Sequence, residues 1–242
     1  SYDIFFGLYV NNGTAVVSDT LFTGNGYDTD DYALYSTGGS VITVTGVTFQ
    51  SNAGWAARVE ADDVQQVTGC AFSGNGYNRI LVGSGTFVDG VTLAPQSGLQ
   101  AYEFENDMTV ATGRSLTIAP DTLTLWRSNV ELKVLGHLAA VGTPTQPITF
   151  TSATNTGPNQ WSGLVFNGGT GNLQHVVARY GGQSNSLSGS AGSNLYLVNG
   201  ADVYLASGQV RSGQPTRSYD IFFGLYVNNG TAVVSDTLFT GN

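Results

Sequence analysis

The chain has 242 residues, a formal net charge of −9, one cysteine and charged side chains at only 10 % of positions, well under the ~25 % of an ordinary globular domain. So acidic a surface cannot neutralise phosphates, which argues against nucleic acid and against anionic membrane surfaces. No apolar run reaches the ~20 residues that a bilayer-spanning helix needs.

The chain opens on SYDIFFGLYVNNGTAVVSDTLFTGN, and Ser218–Asn242 repeats Ser1–Asn25 without a change. Three origins account for it: a window from a long array of near-identical repeats, which is the reading adopted here, an engineered duplication, or assembly from incomplete data. An array makes one full period, 1–217, followed by the start of the next copy, 218–242. Self-similarity of this kind points to a solenoid before any local propensity is weighed. The 33 glycines, 12 tyrosines and 12 phenylalanines suit short strands joined by tight turns.

A shorter period lies inside the long one. VVSDTLF, ITVTGVTF and QVTGCAF each place apolar residues at every second position, as a half-buried strand requires, and each closes on Phe22, Phe49 or Phe72, at nearly even intervals. Asn25, Asn52 and Asn75 follow at the same place in each run and are expected at corners, where asparagine tolerates left-handed backbone. The expected fold is therefore all-β, a right-handed parallel β-helix, with 1–242 one continuous solenoid. At about 23 residues per coil and ~4.8 Å between coils, one period would rise on the order of 45 Å.

Between the first coils stand two acidic groups. Asp28, Asp30 and Asp31 in GYDTDDYA are the densest, and alternate carboxylates on a loop can bind calcium. The later glycine and distal glutamate of an EF-hand loop are missing, so a solvated loop is preferred and no metal or other cofactor is expected. Glu60, Asp62 and Asp63 form the second group, with Arg58 beside them. Tyr27, Tyr32, Trp55 and Tyr77 are candidates for stacking on sugars, with a core or ladder role as the competing reading. Cys70, in TGCAF, is expected to be a buried thiol. Ala94–Thr112 fits no coil pattern, and its FENDM is expected as an outward loop or a lateral contact.

Further along, Ser115–Trp126 reads SLTIAPDTLTLW, Leu132–Ser152 reads LKVLGHLAAVGTPTQPITFTS, and Trp161–Phe166 reads WSGLVF. Pro144 and Pro147 cannot donate to a ladder, so GTPTQP should form a corner, with Gly142 supplying backbone freedom. These strings resemble the β-helical segments of large bacterial and archaeal surface proteins in the pectin-lyase-like superfamily. The resemblance covers about half the period, with His137 departing from the small or polar residue expected at its place. It implies an extracellular or cell-surface location.

That superfamily also contains pectate lyases and polygalacturonases, which work through clustered carboxylates, calcium or a basic residue. The polygalacturonase segments Asn-Thr-Asp, Gly-His-Gly and Arg-Ile-Lys are absent. His137 and His175 lie in apolar surroundings with no acid or nucleophile at catalytic spacing, and are expected on strand faces. No catalytic residue is assigned. The reading is a structural, non-catalytic filament, stalk or adhesin shaft whose partners are identical repeats or subunits stacked along the helix axis. Cell-surface polysaccharide is a further candidate partner. The alternative is a β-helix that binds or degrades polysaccharide, as a lyase or hydrolase.

Overall fold

The computed structural model describes residues 5–87, 90–183, 187, 192–212 and 222–242. Among the described residues there is no α-helix, and a single 3-10 turn, Val64–Gln66, interrupts the strands. The chain divides into two compact units, Ser1–Ser84 with Pro95–Glu103, and Gly85–Ala94 with Phe104–Asn242. Each is a right-handed parallel β-helix.

The first three coils, all in the first unit, carry three strands each. Phe6–Asn11, Thr14–Ser18 and Leu21–Thr23 make the first coil, and Tyr32–Thr37, Val41–Thr45 and Thr48–Gln50 make the second. They pair parallel and in register, Leu8 on Leu34, Val16 on Thr43 and Phe22 on Phe49. The third coil continues the columns, with Phe49 on Phe72. The Phe22, Phe49 and Phe72 rings stack with centroids 5.3 Å apart at each step, an arrangement worth ~0.5–1.5 kcal/mol per pair beyond the area it buries. Phe49 is fully buried between the other two.

Many of the bends are turned by a residue in the left-handed region. In the first coil these are Asn12 (φ 51°), Asp19 (φ 47°) and Gly24 (φ 67°). Their N–H groups donate onward to Thr37 O at 3.3 Å, Thr45 O at 3.0 Å and Ser51 O at 3.2 Å. Gly46 and Ser51 repeat the device in the second coil, donating to Thr68 O and Ser73 O, both at 3.0 Å. One left-handed residue turns the chain sharply from one sheet to the next while its N–H stays in the ladder, and Asn, Asp and Gly reach that region at least cost.

The second unit uses the same rule. Leu132, Leu164, Leu195 and Leu225 form one interior column. His175 (φ 49°), Ser207 (φ 52°) and Ser212 (φ 56°) are bend residues, donating to Ala206 O, Ser235 O and Thr240 O at 3.0, 3.1 and 3.0 Å. Coils here are longer than the spacing of the early phenylalanines suggests: one coil carries the column from Leu132 to Leu164, and the next carries it from Leu164 to Leu195. The extra residues sit in bends such as Gly142–Pro147, which leaves the strand ending at Val141 and enters Ile148–Ser152. Thr143 and Gln146 close it with reciprocal backbone hydrogen bonds of 3.1 and 3.2 Å, and Pro144 and Pro147 lie in it without needing to donate.

Several expectations change at this level. The left-handed residue is not Asn25, Asn52 or Asn75 but the position before each, Gly24, Ser51 or Gly74. His175 is a bend residue, not a strand-face one, because it alone separates the strands on either side of it. Gly142 is required for space: a Cβ there would stand 2.9 Å from Gln146 O and 3.0 Å from His175 O. FENDM is an outward loop only at Glu105–Asp107, where Asn106 and Asp107 are exposed; Phe104 and Met108 on either side are fully buried and Met108–Val110 is a ladder strand.

Candidate functional site

The first unit gathers most of the residues singled out in the sequence. Asn25, Asn52 and Asn75 form a side-chain ladder along one corner. The Asn52 Oδ1 accepts from the Asn25 backbone N–H at 3.0 Å and from its Nδ2 at 2.8 Å. Asn75 Oδ1 accepts in the same way from Asn52, at 3.1 and 2.7 Å. Each amide also donates inward, Asn52 Nδ2 to Phe22 O at 3.1 Å and Asn75 Nδ2 to Phe49 O at 2.9 Å. Asn52 is only 2 % exposed, so its polar atoms are satisfied entirely by protein, as burial demands.

Beside this corner lies the Asp28, Asp30, Asp31 group. Asp31 is buried, and its carboxylate accepts N–H groups from Phe5 at 2.7 Å, from Asp28 at 3.0 Å and from Tyr27. Burial pushes its pKa up, but the three backbone donors outweigh it and hold the group below its ordinary value. Asp28 accepts from the Asp30 N–H at 2.9 Å. The cluster thus fastens its own loop to the first coil. Among the described residues no group of three or more His, Cys, Asp or Glu is arranged to hold a metal ion.

The aromatic candidates Tyr32, Trp55 and Tyr77 occupy one register column and stack, 6.5 Å from Tyr32 to Trp55 and 4.4 Å from Trp55 to Tyr77, with Phe6 above Tyr32 at 6.0 Å. Interplanar angles of 18° to 28° turn the ring faces toward each other, leaving edges outward. Trp55 is 6 % exposed. Tyr27 stands apart at 87 % exposure. Two arginines flank this column: Arg58 lies over Tyr35 at 4.9 Å and pairs at 2.6 Å with Glu60, one of the acidic group it precedes in the sequence, while Arg79, which the sequence did not single out, lies over Tyr77 at 5.4 Å and pairs with Glu103 at 2.8 Å. Arg79 and Glu103 stand one coil apart in the sequence, which is the only signal that could have joined them.

The arrangement offers fixed ion pairs and shared aromatic surface. Glu60 and Glu103 are each held by an arginine, which ties up their oxygens in salt bridges. Asp63 has one carboxylate oxygen with no hydrogen-bond partner; burial and the nearby Asp62 and Glu60 charges push its pKa up against a hydrogen bond from the Ile42 backbone. Cys70 is buried, and burial raises its thiol pKa. In the second unit, Trp161 is fully buried, stacks on Trp126 at 5.5 Å and donates its indole N–H to Arg179 O at 2.8 Å, so it belongs to the core. His137 Nδ1 contacts Thr170 Oγ1 at 2.7 Å on the next coil, an inter-coil hydrogen bond. Comparison with family models, with curated proteins and with solved structures gave no match.

Proposed function

We propose that this chain is a repeat of a non-catalytic, extracellular or cell-surface shaft, a filament, stalk or adhesin, whose partners are identical repeats stacked coil on coil. We also propose that it belongs to the pectin-lyase-like superfamily. One observation carries the reading. Phe6–Asn11, Thr14–Ser18 and Leu21–Thr23 recur as strands at Phe222–Asn228, Thr231–Ser235 and Leu238–Thr240, with the same left-handed bends. The first copy is paired to the coil that follows it and the second to the coil that precedes it. A coil that accepts both neighbours lets one period lead into the next without a special junction, as tandem solenoids require. Among the described residues no helix is long and apolar enough to cross a membrane.

Cryo-electron microscopy of native material tests this. Filaments with an axial repeat on the order of 40–45 Å, set by the ~4.8 Å coil spacing, support the shaft; discrete globular particles contradict it. A second reading, a protein that binds or degrades polysaccharide, draws on Tyr27, Tyr9 and Phe6, exposed at 87, 48 and 36 %. Saturable binding of uronic-acid polymers, or their cleavage, would favour it, and loss of binding in Tyr27→Ala would place the contact.

A further inference from the structure

Most cations of this acidic chain are held by a carboxylate. Arg58 pairs with Glu60 at 2.6 Å, Arg79 with Glu103 at 2.8 Å, Arg127 with Glu105 at 3.7 Å and Lys133 with Glu131 at 3.3 Å. Arg179 and Arg211 have no carboxylate partner among the described residues. They end the strands Val176–Arg179 and Gln209–Arg211, which pair parallel with Arg179 directly opposite Arg211. Ala178 and Val210 beside them are buried, so by strand alternation both arginine side chains leave the outer face of one sheet, side by side. A coil stands on either side of the pair: Thr240 is in register with Arg211 on the coil that follows, and on the coil before, Thr151 Oγ1 accepts from Arg179 Nε at 3.4 Å.

Like charges directly opposite on neighbouring strands repel, and both side chains are half-buried. Arg179 lies over the Tyr180 ring at 5.3 Å, a contact that leaves its charge uncancelled. The Arg211 Nε is buried without a hydrogen-bond partner, although buried donors are nearly always satisfied and cost stability when they are not. Arg79 Nε is in the same position, but its Nη1 has Glu103. What the Arg179 and Arg211 pair lacks is a negative charge shared between them. We propose that the two arginines form a binding site for a divalent oxyanion, phosphate as the free ion or as the ester group of a saccharide. Each guanidinium presents N–H donors in a fixed fork that matches phosphate oxygens two at a time, and two forks on strands ~4.8 Å apart can grip one tetrahedral ion. A dianion cancels both charges, and its oxygens give Arg211 Nε an acceptor. The site stands apart from the shaft reading: its failure would leave the axial-repeat test of that shaft untouched.

Isothermal titration of the chain with inorganic phosphate, and separately with a hexose phosphate, at an ionic strength held constant with chloride, tests it. Saturable binding is expected, weakened about ten-fold or more in Arg211→Gln and in Arg179→Gln, as loss of a charge-assisted hydrogen bond requires. Arg114→Gln, which removes the same charge from an exposed arginine, should bind as the parent does. Binding of the hexose phosphate places the anion on a saccharide, and binding of the free ion alone assigns the site to that ion. No saturation at millimolar phosphate, unchanged affinity in the Arg179 and Arg211 variants, or equal weakening in all three variants, which would mean diffuse charge attraction, overturns the site. Melting gives a second readout, because a ligand stabilises only the form that binds it. Phosphate should raise the melting temperature of the parent more than that of Arg211→Gln, and an equal rise in both contradicts the proposal. If Arg211→Gln does not fold, Arg179→Gln carries both measurements.

Discussion

Asn52 is the residue on which the corner ladder depends. It accepts two hydrogen bonds from Asn25 and donates to Asn75 and to Phe22 O. Asn52→Ala strands these groups in a site that is 2 % exposed, and loss of a buried partner costs about 1–3 kcal/mol per group left unpaired. Chemical denaturation of Asn52→Ala should give a midpoint clearly below the parent, while Asn12→Ala, at an exposed bend, should lose less. The two buried aspartates act in opposite senses with pH. Asp31, held below its ordinary 3.8, contributes stability that is complete above that value and lost as pH falls through the lower folded pKa. Asp63 is raised above 3.8, so what it contributes at low pH is lost as pH rises through its folded pKa, and at neutral pH its charge is a burden. Asp63→Asn should therefore raise the melting temperature at pH 7 and leave it unchanged near pH 3; equal gains at both would show that burial of the charge is not the cause. The Cys70 thiol, raised by burial, should react with a thiol reagent only on unfolding, and rapid labelling of the native chain would contradict its placement.

At the scale of the coil, the alternation in ITVTGVTF and the Phe22, Phe49, Phe72 spacing were enough to give the parallel ladder and the ring stack, because a coil that stacks on itself must repeat its interior. Phe49→Ala removes the middle ring of a fully buried column and should cost ~3–5 kcal/mol, measured by equilibrium unfolding; a loss under about 1 kcal/mol would mean the column is not the core. Bends were less legible. A left-handed residue can be Gly, Asn, Asp, Ser or His, as Gly24, Asn12, Asp19, Ser51 and His175 show, so composition did not mark the position, and the visible asparagines proved to be its neighbours. Met108–Val110 escaped notice because so short a strand carries too little alternation to detect. Arg58 beside Glu60 was legible in the sequence, but the contacts of Arg58 with Tyr35 and of Arg79 with Glu103 were hidden, because those partners come from adjacent coils and only the register brings them together. Tyr32, Trp55 and Tyr77 were visible as aromatics, yet their mutual stacking depends on register that composition does not carry.

For the molecule as a whole, the proposed shaft requires that the recurring first coil make periods additive, each period continuing the ladder of the one before. A chain of two periods, built by following 1–217 with a second complete copy, should then lengthen without changing its cross-section. Small-angle X-ray scattering of the one-period and two-period chains, at concentrations low enough to keep each monomeric, measures this directly. The account predicts the same cross-sectional radius and a maximum dimension longer by roughly 40 Å, the rise of one period at ~4.8 Å per coil. A two-period chain that folds back, with a larger cross-section and little gain in length, would contradict it.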